Sequence, residues 1–343
     1  MSTSGNPQAG PRLSFIIPFY ASHNKLDECV RSLTRHSDVS FEILILDDGN
    51  ADYDYGGIEQ EPSVRLIRAT DNCGPSYRRN EGIRLARGTY IQFIDSDDML
   101  VGNVSAYFDA VAKVGSGQPD VITGLLEGGH LIRRLAVGLP RETSLEEEIV
   151  LVKLGGFTGH LYRREFLCVE NIEFPADLRG AEDTVFLMRV WAKAKTVLLT
   201  DTAHYRYRAV SNSLSKPSEQ SGSPDMGGSG FEMRFGIAAG YVTEALAAFP
   251  AAQLVRGTMM YKFGSKGLQR IARTGDDSAF ISAFKVLAGL VEKSGVLRAD
   301  AGQIRNDTGV YWDDRLQLLA EGLQGDNKTA VRALCAGEDF RLY

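Results

Sequence analysis

The chain has 343 residues, of which 43% are hydrophobic, and a formal net charge of −6 at pH 7. A chain of this length exceeds what one hydrophobic core usually takes in, so we expect one large domain with an appendage, or two domains. The acidic balance argues against a general nucleic-acid binder, because such proteins neutralise phosphates with clustered Lys and Arg.

The cysteines and the N-terminus both favour a cytoplasmic protein. The four cysteines are far apart and form no C-x-x-C pair, so we expect reduced thiols rather than a zinc ribbon or a redox dithiol. The first twelve residues are polar and lack the apolar core of a signal peptide. No later stretch approaches about 18 uninterrupted apolar residues, so the protein is predicted to be soluble or at most peripheral to a membrane.

Short apolar runs alternate with amphipathic stretches through the first third of the chain. The predicted strands are 13–17, 41–46, 64–67, 89–94 and 120–124, and the predicted helices lie around 26–33, 76–87 and 102–114. Pro18 is expected to end the first strand, because proline cannot donate to a ladder. Strands that alternate with helices predict a mostly parallel sheet flanked by helices, an α/β fold.

From residue 145 onward the pattern is looser. It predicts a helix at 145–153, a strand at 157–162, a helix opening near Glu182 and a strand ending in "HYRYR" at 204–208. In that strand, strict alternation would place His204, Arg206 and Arg208 on one face. Residues 215–230 are rich in Ser, Gly and Pro and predict a flexible linker, whereas the Ala- and Leu-rich residues 231–343 predict helices.

Two acidic clusters follow predicted strands, Asp47-Asp48 after the second and Asp95–Asp98 after the fourth. Ligands of open α/β sheets bind beyond the carboxyl ends of the strands, so both clusters could line one crevice. Asp95 and Asp97 are separated by one residue and can point the same way, which suits a hard divalent cation and hence a phosphate ligand. The alternative is that Asp95 caps the following helix while Asp97 and Asp98 are solvated loop residues.

Four segments occur in an order and at a spacing that resemble the inverting family 2 glycosyltransferases of GT-A fold. They are "SFIIPFY", "FEILILDDG", "NCGPSYRRNEGIRLARGTYIQFIDSDDML" and "GAEDTVFLMRVW", and the resemblance covers roughly residues 12–216. It implies a nucleotide-diphospho-sugar transferase domain at 12–214. A disordered N-terminus at 1–11 would precede it, and the linker at 215–230 and an α-helical region at 231–343 would follow.

The resemblance assigns the donor base to the ends of the first two strands. Pro18 and Tyr20 would pack against the base, and the Asp48 carboxylate would accept a hydrogen bond from the N3–H of uracil. Asn50 stands where the family usually has serine, a departure within the turn. Alternatively, Asp47 and Asp48 only form an Asx turn with the following glycine.

The resemblance assigns the diphosphate and metal to the third segment. Arg79 matches an arginine that faces the nucleotide. Arg78 stands where alanine is usual, so either guanidinium could turn inward. The alternative is that both arginines lie on the helix surface. The metal motif comprises Asp95, Ser96 and Asp97. Asp97 would bind Mn²⁺ or Mg²⁺ directly, Asp95 would face the ribose or the metal's water shell, Ser96 would lie at the donor nucleotide, and Asp98 would support the loop.

The acceptor side is assigned to later residues. Glu182-Asp183 matches the family's acidic pair, with Asp183 as the general base; alternatively, the pair only favours the helix dipole. His160 is a candidate acceptor contact, although a lone histidine is more often structural. Arg208 and Ser213 resemble residues of a loop that closes over the diphosphate, and a solvated cationic edge strand is the competing interpretation.

The leading hypothesis is a metal-dependent inverting glycosyltransferase of hexosyl- or N-acetylhexosaminyltransferase type. It would use a UDP-sugar and a hydroxyl of a glycan or lipid-linked glycan acceptor, as in bacterial surface polysaccharide synthesis. A sugar nucleotidyltransferase is one alternative, but it needs a Gly-rich phosphate loop after the first strand, and "PFYASHNK" is not one. A non-catalytic nucleotide-sugar-binding or scaffold protein is another, and it would have no use for a base at Asp183.

No nucleic acid is expected among the partners. The predicted C-terminal helices offer surfaces for a homo-oligomer or for peripheral contact with the inner face of a membrane, and the sequence does not choose between them.

Overall fold

The computed structural model describes residues 10–20, 25–127, 138–144, 156–178, 182–208 and 241. They fall in two compact units. The first unit holds the described residues up to 144, from 156 to 176 and from 194 to 208, and the second holds those at 177–178, 182–193 and 241. The predicted helix at 145–153, the linker at 215–230 and nearly all of 231–343 lie outside the described residues, so the predicted domain boundaries stay predictions.

The described elements follow the predicted alternation in chain order. They are β1 Leu13–Phe19, α1 Leu26–His36, β2 Phe41–Asp47, β3 Val64–Ile67, α2 Pro75–Leu85, β4 Tyr90–Phe93, β5 Met99–Leu100, α3 Ser105–Val114, β6 Val121–Thr123, β7 Leu125–Leu126, β8 Arg141–Thr143, β9 His160–Arg163, α4 Arg164–Val169, α5 Glu182–Lys193, β10 Val197–Leu199 and β11 Ala203–Arg206. Among these, α2 ends two residues before its predicted end, and the first half of the predicted strand at 157–162 is a 3₁₀ turn, Phe157–Gly159.

The first unit is built on an eight-stranded sheet with the order β3-β2-β1-β4-β9-β6-β10-β8. β1 to β4 are mutually parallel, β10 is parallel to β6, and β9 and β8 run antiparallel to their neighbours. A smaller sheet has the order β5-β11-β7. Because β2 and β4 both pair in parallel with β1, their carboxyl ends lie at one edge of the sheet, as the sequence predicted.

The core of the first unit packs α1 and α3 against the strands. The four apolar residues predicted to form the stripe of α1, Leu26, Cys29, Val30 and Leu33, are all buried. Cys29, Cys73 and Cys168 are free thiols, in agreement with the expected reduced state. No described helix has the length and apolar character needed to cross a membrane.

The expected end of the first strand at Pro18 is wrong, because β1 continues to Phe19. The Ile16 carbonyl accepts from the Ile94 N–H, so this residue faces β4, and Pro18, two residues further, faces the same side. The last residue pair between β1 and β4 is Ile16 with Phe93. The missing N–H of Pro18 therefore points beyond the end of that pairing and costs no ladder hydrogen bond.

The strict alternation predicted for residues 204–208 is also wrong. β11 has a register shift against β7 between Ala203 and Tyr205, where two residues of β11 oppose one of β7. A bulge of this kind interrupts the regular alternation of the strand and can change the direction of a side chain. As a result His204 and Tyr205 are both fully buried.

Candidate functional site

The carboxylate of Asp48, just past β2, is buried and accepts three hydrogen bonds. Its Oδ1 accepts from the Cys73 N–H and from Arg78 Nε, both at 2.8 Å, and its Oδ2 accepts from the Gly74 N–H at 2.8 Å. Gly74 reaches this position with a φ of 87°, which is accessible to glycine at little cost. The carboxylate thus ties the end of β2 to the start of α2.

The neighbouring Asp47 forms an Asx turn, which was the alternative role for Asp47 and Asp48 together. Its Oδ1 accepts from the N–H groups of Gly49 and Asn50 and from the Asn50 side-chain amide at 2.7 Å. The same amide nitrogen donates to the Phe19 carbonyl at 3.0 Å. Asn50, in the place of the family's serine, therefore closes the turn from both sides, and Asp48 is left outside it.

Both arginines of "RRN" turn inward, so the surface alternative is wrong for each of them. Arg78 reaches Asp48, Glu81 at 2.8 Å and the Asp71 carbonyl at 2.9 Å. Arg79 donates through Nη2 to Oδ1 of Asp95 at 2.9 Å. Consecutive residues of α2 thus serve the two acidic clusters separately.

Arg79 is held by two aromatic rings as well as by Asp95. Its guanidinium carbon lies 4.6 Å from the ring centre of Phe157 and 5.2 Å from that of Phe174. The side-chain amide of the next residue, Asn80, fixes the backbone of Phe174: it donates to the Phe174 carbonyl and accepts from the Phe174 N–H, each at 2.8 Å. The planar guanidinium is therefore positioned by two aromatic rings and a carboxylate, which a flexible ammonium could not reproduce.

The turn from Asp95 to Asp98 leaves two of its carboxylates accessible. Asp95 and Asp97 are partly exposed, whereas Ser96 and Asp98 are buried. Burial and then the charge of Asp95 raise the pKa of Asp97, so the turn carries negative charge that its surroundings do not fully offset. Hard oxygen donors with unbalanced charge fit a divalent cation.

A complete metal site of protein ligands alone is not formed there. Among the residues that the structure describes, no cluster of three His, Cys, Asp or Glu side chains is arranged to hold a metal. Mg²⁺ usually takes only one or two protein carboxylates and completes its shell with water and substrate phosphate. Asp95 and Asp97 match that smaller donor set.

Asp98 is engaged inside the protein. Its Oδ2 accepts from the Tyr205 hydroxyl at 2.6 Å, and its Oδ1 accepts from the Arg208 N–H at 2.8 Å. Burial raises the pKa of Asp98 to about 7, against the lowering effect of these two hydrogen bonds. These contacts agree with the expected role of Asp98 as a support of the loop.

Arg208 lies against the same turn, so the solvated edge-strand interpretation does not describe it. Its guanidinium donates to the Asp97 carbonyl and to the Glu28 carboxylate, and is 3.5 Å from the Lys25 carbonyl. The Arg208 guanidinium therefore lies next to the predicted metal ligands. Ser213 lies outside the described residues.

Pro18 and Tyr20, the two residues predicted to pack against the base, differ in exposure. Pro18 is half-buried at the end of β1, and Tyr20 is 54% exposed just beyond it. An aromatic ring exposed at the carboxyl edge of the sheet is of the kind that stacks on planar ligands.

His160 is fully buried and packs edge-on against Tyr162, with ring centres 6.1 Å apart. A fully buried ring cannot touch an acceptor sugar, which agrees with the alternative that His160 is a structural residue. Part of its surroundings is a buried polar network that the sequence analysis missed. The Gln92 amide nitrogen lies 2.8 Å from His204 Nε2, and the Tyr107 hydroxyl bonds His204 Nδ1. Gln92, Tyr107 and His204 come from three separate segments, so no local sequence motif indicates the network.

Asp183 belongs to the second unit, on the first turn of α5. Asp183 and Glu182 are half-buried, and Asp183 Oδ1 accepts from the Thr184 N–H at 2.7 Å. A carboxylate on the first turn of a helix is stabilised by the helix dipole. The apolar side of this helix is buried, at Val185, Phe186, Leu187, Met188, Val190 and Trp191.

Comparisons with known proteins show what the first part of the chain is similar to. Residues 14–105 match the model for glycosyl transferase family 2. A poly(ribitol-phosphate) beta-glucosyltransferase of Bacillus spizizenii is 29% identical over 205 residues, which cover 57% of this chain and 32% of that protein. The chain spans less than two thirds of the length of this and other curated relatives.

Two solved structures show the same fold at low sequence identity. Staphylococcus aureus TarS 1–349 in complex with UDP-GlcNAc has a TM-score of 0.68 at 20% identity and covers 94% of this chain and 90% of its own. The mannosyltransferase PcManGT of Pyrobaculum calidifontis, in complex with GDP-Man and Mn²⁺, has a TM-score of 0.50 at 15% identity. The match covers 96% of this chain and 87% of that one. Through residues 14–105 the chain is therefore similar to glycosyl transferase family 2, and its fold is the GT-A fold.

Proposed function

We propose that this protein is a metal-dependent inverting glycosyltransferase. It transfers a hexosyl or N-acetylhexosaminyl group from a UDP-sugar to a hydroxyl of a glycan or lipid-linked glycan, as in the synthesis of a bacterial surface polysaccharide. One observation carries the proposal. Asp48 and the Asp95–Asp97 carboxylates stand at the carboxyl ends of β2 and β4, on either side of β1, and consecutive arginines of α2 bind them.

The base would lie at Asp48. A carboxylate offers about four lone-pair positions, and protein donors occupy three of those of Asp48. The remaining position, on Oδ2, suits the ring N–H of uracil, and a base that presents a ring acceptor there would be repelled. Tyr20 and Pro18 would cover the faces of the base. The likeness to TarS with bound UDP-GlcNAc supports a uridine donor.

Asp97 and Asp95 would hold Mn²⁺ or Mg²⁺, with Ser96 at the donor nucleotide and Arg208 beside the diphosphate. The cation would supply charge neutralisation for the diphosphate leaving group. Arg79 prevents the Asp95 carboxylate from rotating away, because Nη2 binds its Oδ1 and the aromatic rings hold the guanidinium. The likeness to a mannosyltransferase with Mn²⁺ supports a divalent cofactor.

Asp183 would remove the proton of the acceptor hydroxyl as that oxygen attacks the anomeric carbon, and Glu182 would be its acidic neighbour. A single displacement inverts the anomeric centre and needs no nucleophile from the enzyme, unlike the two-step scheme of retaining hydrolases. Relatives named for poly(ribitol-phosphate) glycosylation support a polyhydroxy polymer as the class of acceptor. The reaction would take place in the cytoplasm or at the inner face of the membrane.

The proposal is tested by assaying sugar release or transfer from UDP-glucose, UDP-N-acetylglucosamine, UDP-galactose and GDP-mannose, with Mn²⁺ and with EDTA. We expect Mn²⁺-dependent turnover of a UDP-sugar and its loss in Asp97→Asn. The matched control is Asp109→Asn, the same change at an exposed position of α3. A folded wild-type protein that turns over none of the four donors would refute the proposal, and turnover of GDP-mannose alone would refute the uridine donor.

A further inference from the structure

We propose that Tyr205 is a positioning residue for the Asp95–Asp98 turn, and that its hydroxyl sets the spacing of the two carboxylates that would face the cation. This inference rests on the proposed function. No motif pointed to Tyr205, and its partner Asp98 lies 107 residues away in sequence.

The Tyr205 hydroxyl joins both ends of the turn. It accepts from the Asp95 N–H at 3.3 Å and donates to Asp98 Oδ2 at 2.6 Å. Within the turn, the Asp98 N–H donates to the Asp95 carbonyl at 2.9 Å. Asp95 and Asp98 are therefore linked twice, once through the backbone and once through the phenol, and Asp97 is carried between them.

The position of the hydroxyl is itself fixed by the fold. The ring of Tyr205 is fully buried in the core cluster of the first unit. Its backbone pairs with Leu100, and Arg206 pairs with Met99, so β11 is fastened to the strand directly after the turn. Because the Tyr205 hydroxyl is carried by a buried and paired strand, it moves little. The Asp95 N–H and the Asp98 carboxylate that it binds are therefore also held in place.

Asp98 acts as the anchor in this arrangement. Both of its oxygens are occupied, by the Tyr205 hydroxyl and by the Arg208 N–H. It therefore differs from Asp95 and Asp97, whose carboxylates are partly exposed. The division explains why the turn has a third carboxylate that a two-ligand cation does not require.

Removing only the hydroxyl should make the turn more mobile without creating a cavity in the core. Tyr205→Phe keeps the ring and leaves the Asp95 N–H and one oxygen of Asp98 without this partner. The cation would then have to order the turn as it binds. Removing a residue that orients metal ligands typically weakens metal binding about 10-fold to 100-fold.

The experiment measures UDP binding by calorimetry as a function of Mn²⁺ concentration. For Tyr205→Phe we expect half-saturation at roughly 10-fold higher Mn²⁺, and kcat at saturating Mn²⁺ to fall much less. The control is Tyr207→Phe, the same change at a side chain that is 51% exposed in the same segment, and it should match the wild type. Thermal unfolding of each variant separates a change in metal dependence from a loss of folded protein.

An unchanged Mn²⁺ half-saturation in folded Tyr205→Phe would overturn the inference while leaving the proposed function intact. A wild type without Mn²⁺-dependent UDP binding would overturn both. If Tyr205→Phe does not fold, Asp98→Asn provides the same test, because it replaces one acceptor oxygen of the anchor by a donor at constant size. A normal Mn²⁺ half-saturation in that variant would likewise overturn the inference.

Discussion

Arg78 Nε lies 2.8 Å from Asp48 Oδ1, and both side chains are almost completely buried. The same guanidinium donates to Glu81 and to the Asp71 carbonyl, so one arginine joins β2, the loop before α2 and the first turns of that helix. A buried ion pair costs desolvation on both sides, and its geometry must be good to repay this. Here the pair fixes the orientation of the carboxylate that would read the base.

Replacement of Arg78 by alanine is expected to lower the free energy of unfolding by about 3 kcal/mol, because Asp48 would remain buried without its counter-charge. Urea denaturation measures the change. The control is Arg84→Ala on the same helix, whose pair with Glu173 is about half exposed and should contribute less than about 1 kcal/mol. Equal losses in the two variants would contradict the special role of Arg78.

Replacement of Gly88 by alanine is expected to destabilise the junction of α2 and β4. A Cβ at this position would lie 2.6 Å from the Ser14 nitrogen and 2.7 Å from the Leu13 carbonyl carbon, both backbone atoms of β1 that cannot step aside. We expect a loss of about 1–3 kcal/mol or more from overpacking. Gly117→Ala, at a position with open space around it, should cause no comparable loss in the same denaturation assay.

The parts of the fold that sequence predicted are those governed by local periodicity. The stripe of α1 and the apolar runs of β1 to β4 each bury one continuous segment, so their spacing is visible in the chain. The acidic clusters could be placed at strand ends for the same reason.

What sequence missed depends on contacts between distant segments. The inward turn of Arg78 requires Asp48, 30 residues earlier, and the bulge in β11 depends on its pairing with β7. Burial of His160 follows from its place in a strand between β4 and β6. Each of these is decided by which strands become neighbours, and periodicity does not report that.

Stability below neutral pH should depend on His204. Burial, and then the nearby His160, lower the pKa of His204 to about 3, whereas the unfolded chain has the ordinary value of 6.5. Between these values the unfolded state binds a proton that the folded state does not, so the contribution of this group to stability is lost as the pH falls from 6.5 toward 3. The slope from this group reaches about 1.4 kcal/mol per pH unit.

The measurement compares the free energy of unfolding of the wild type and His204→Gln between pH 6 and pH 4.5. The raised pKa of Asp98 works in the opposite direction over this range, since a buried carboxyl that stays protonated loses its contribution as the pH rises through about 7. That effect is common to both proteins, so the difference between their slopes isolates His204. Parallel slopes would show that His204 is protonated in the folded protein.

The roles of Asp97 and Asp183 can be separated by binding and turnover. Asp97→Asn should lose Mn²⁺-dependent UDP binding together with transfer, because it removes a carboxylate that would hold the cation. Asp183→Asn should keep UDP binding and lose transfer by about 10²–10⁴-fold, the usual contribution of a general base. Calorimetry gives the first quantity and donor turnover with acceptor present gives the second. Asp183→Asn with full turnover would remove the base from Asp183, whereas loss of UDP binding in that variant would show that the residue serves the donor instead.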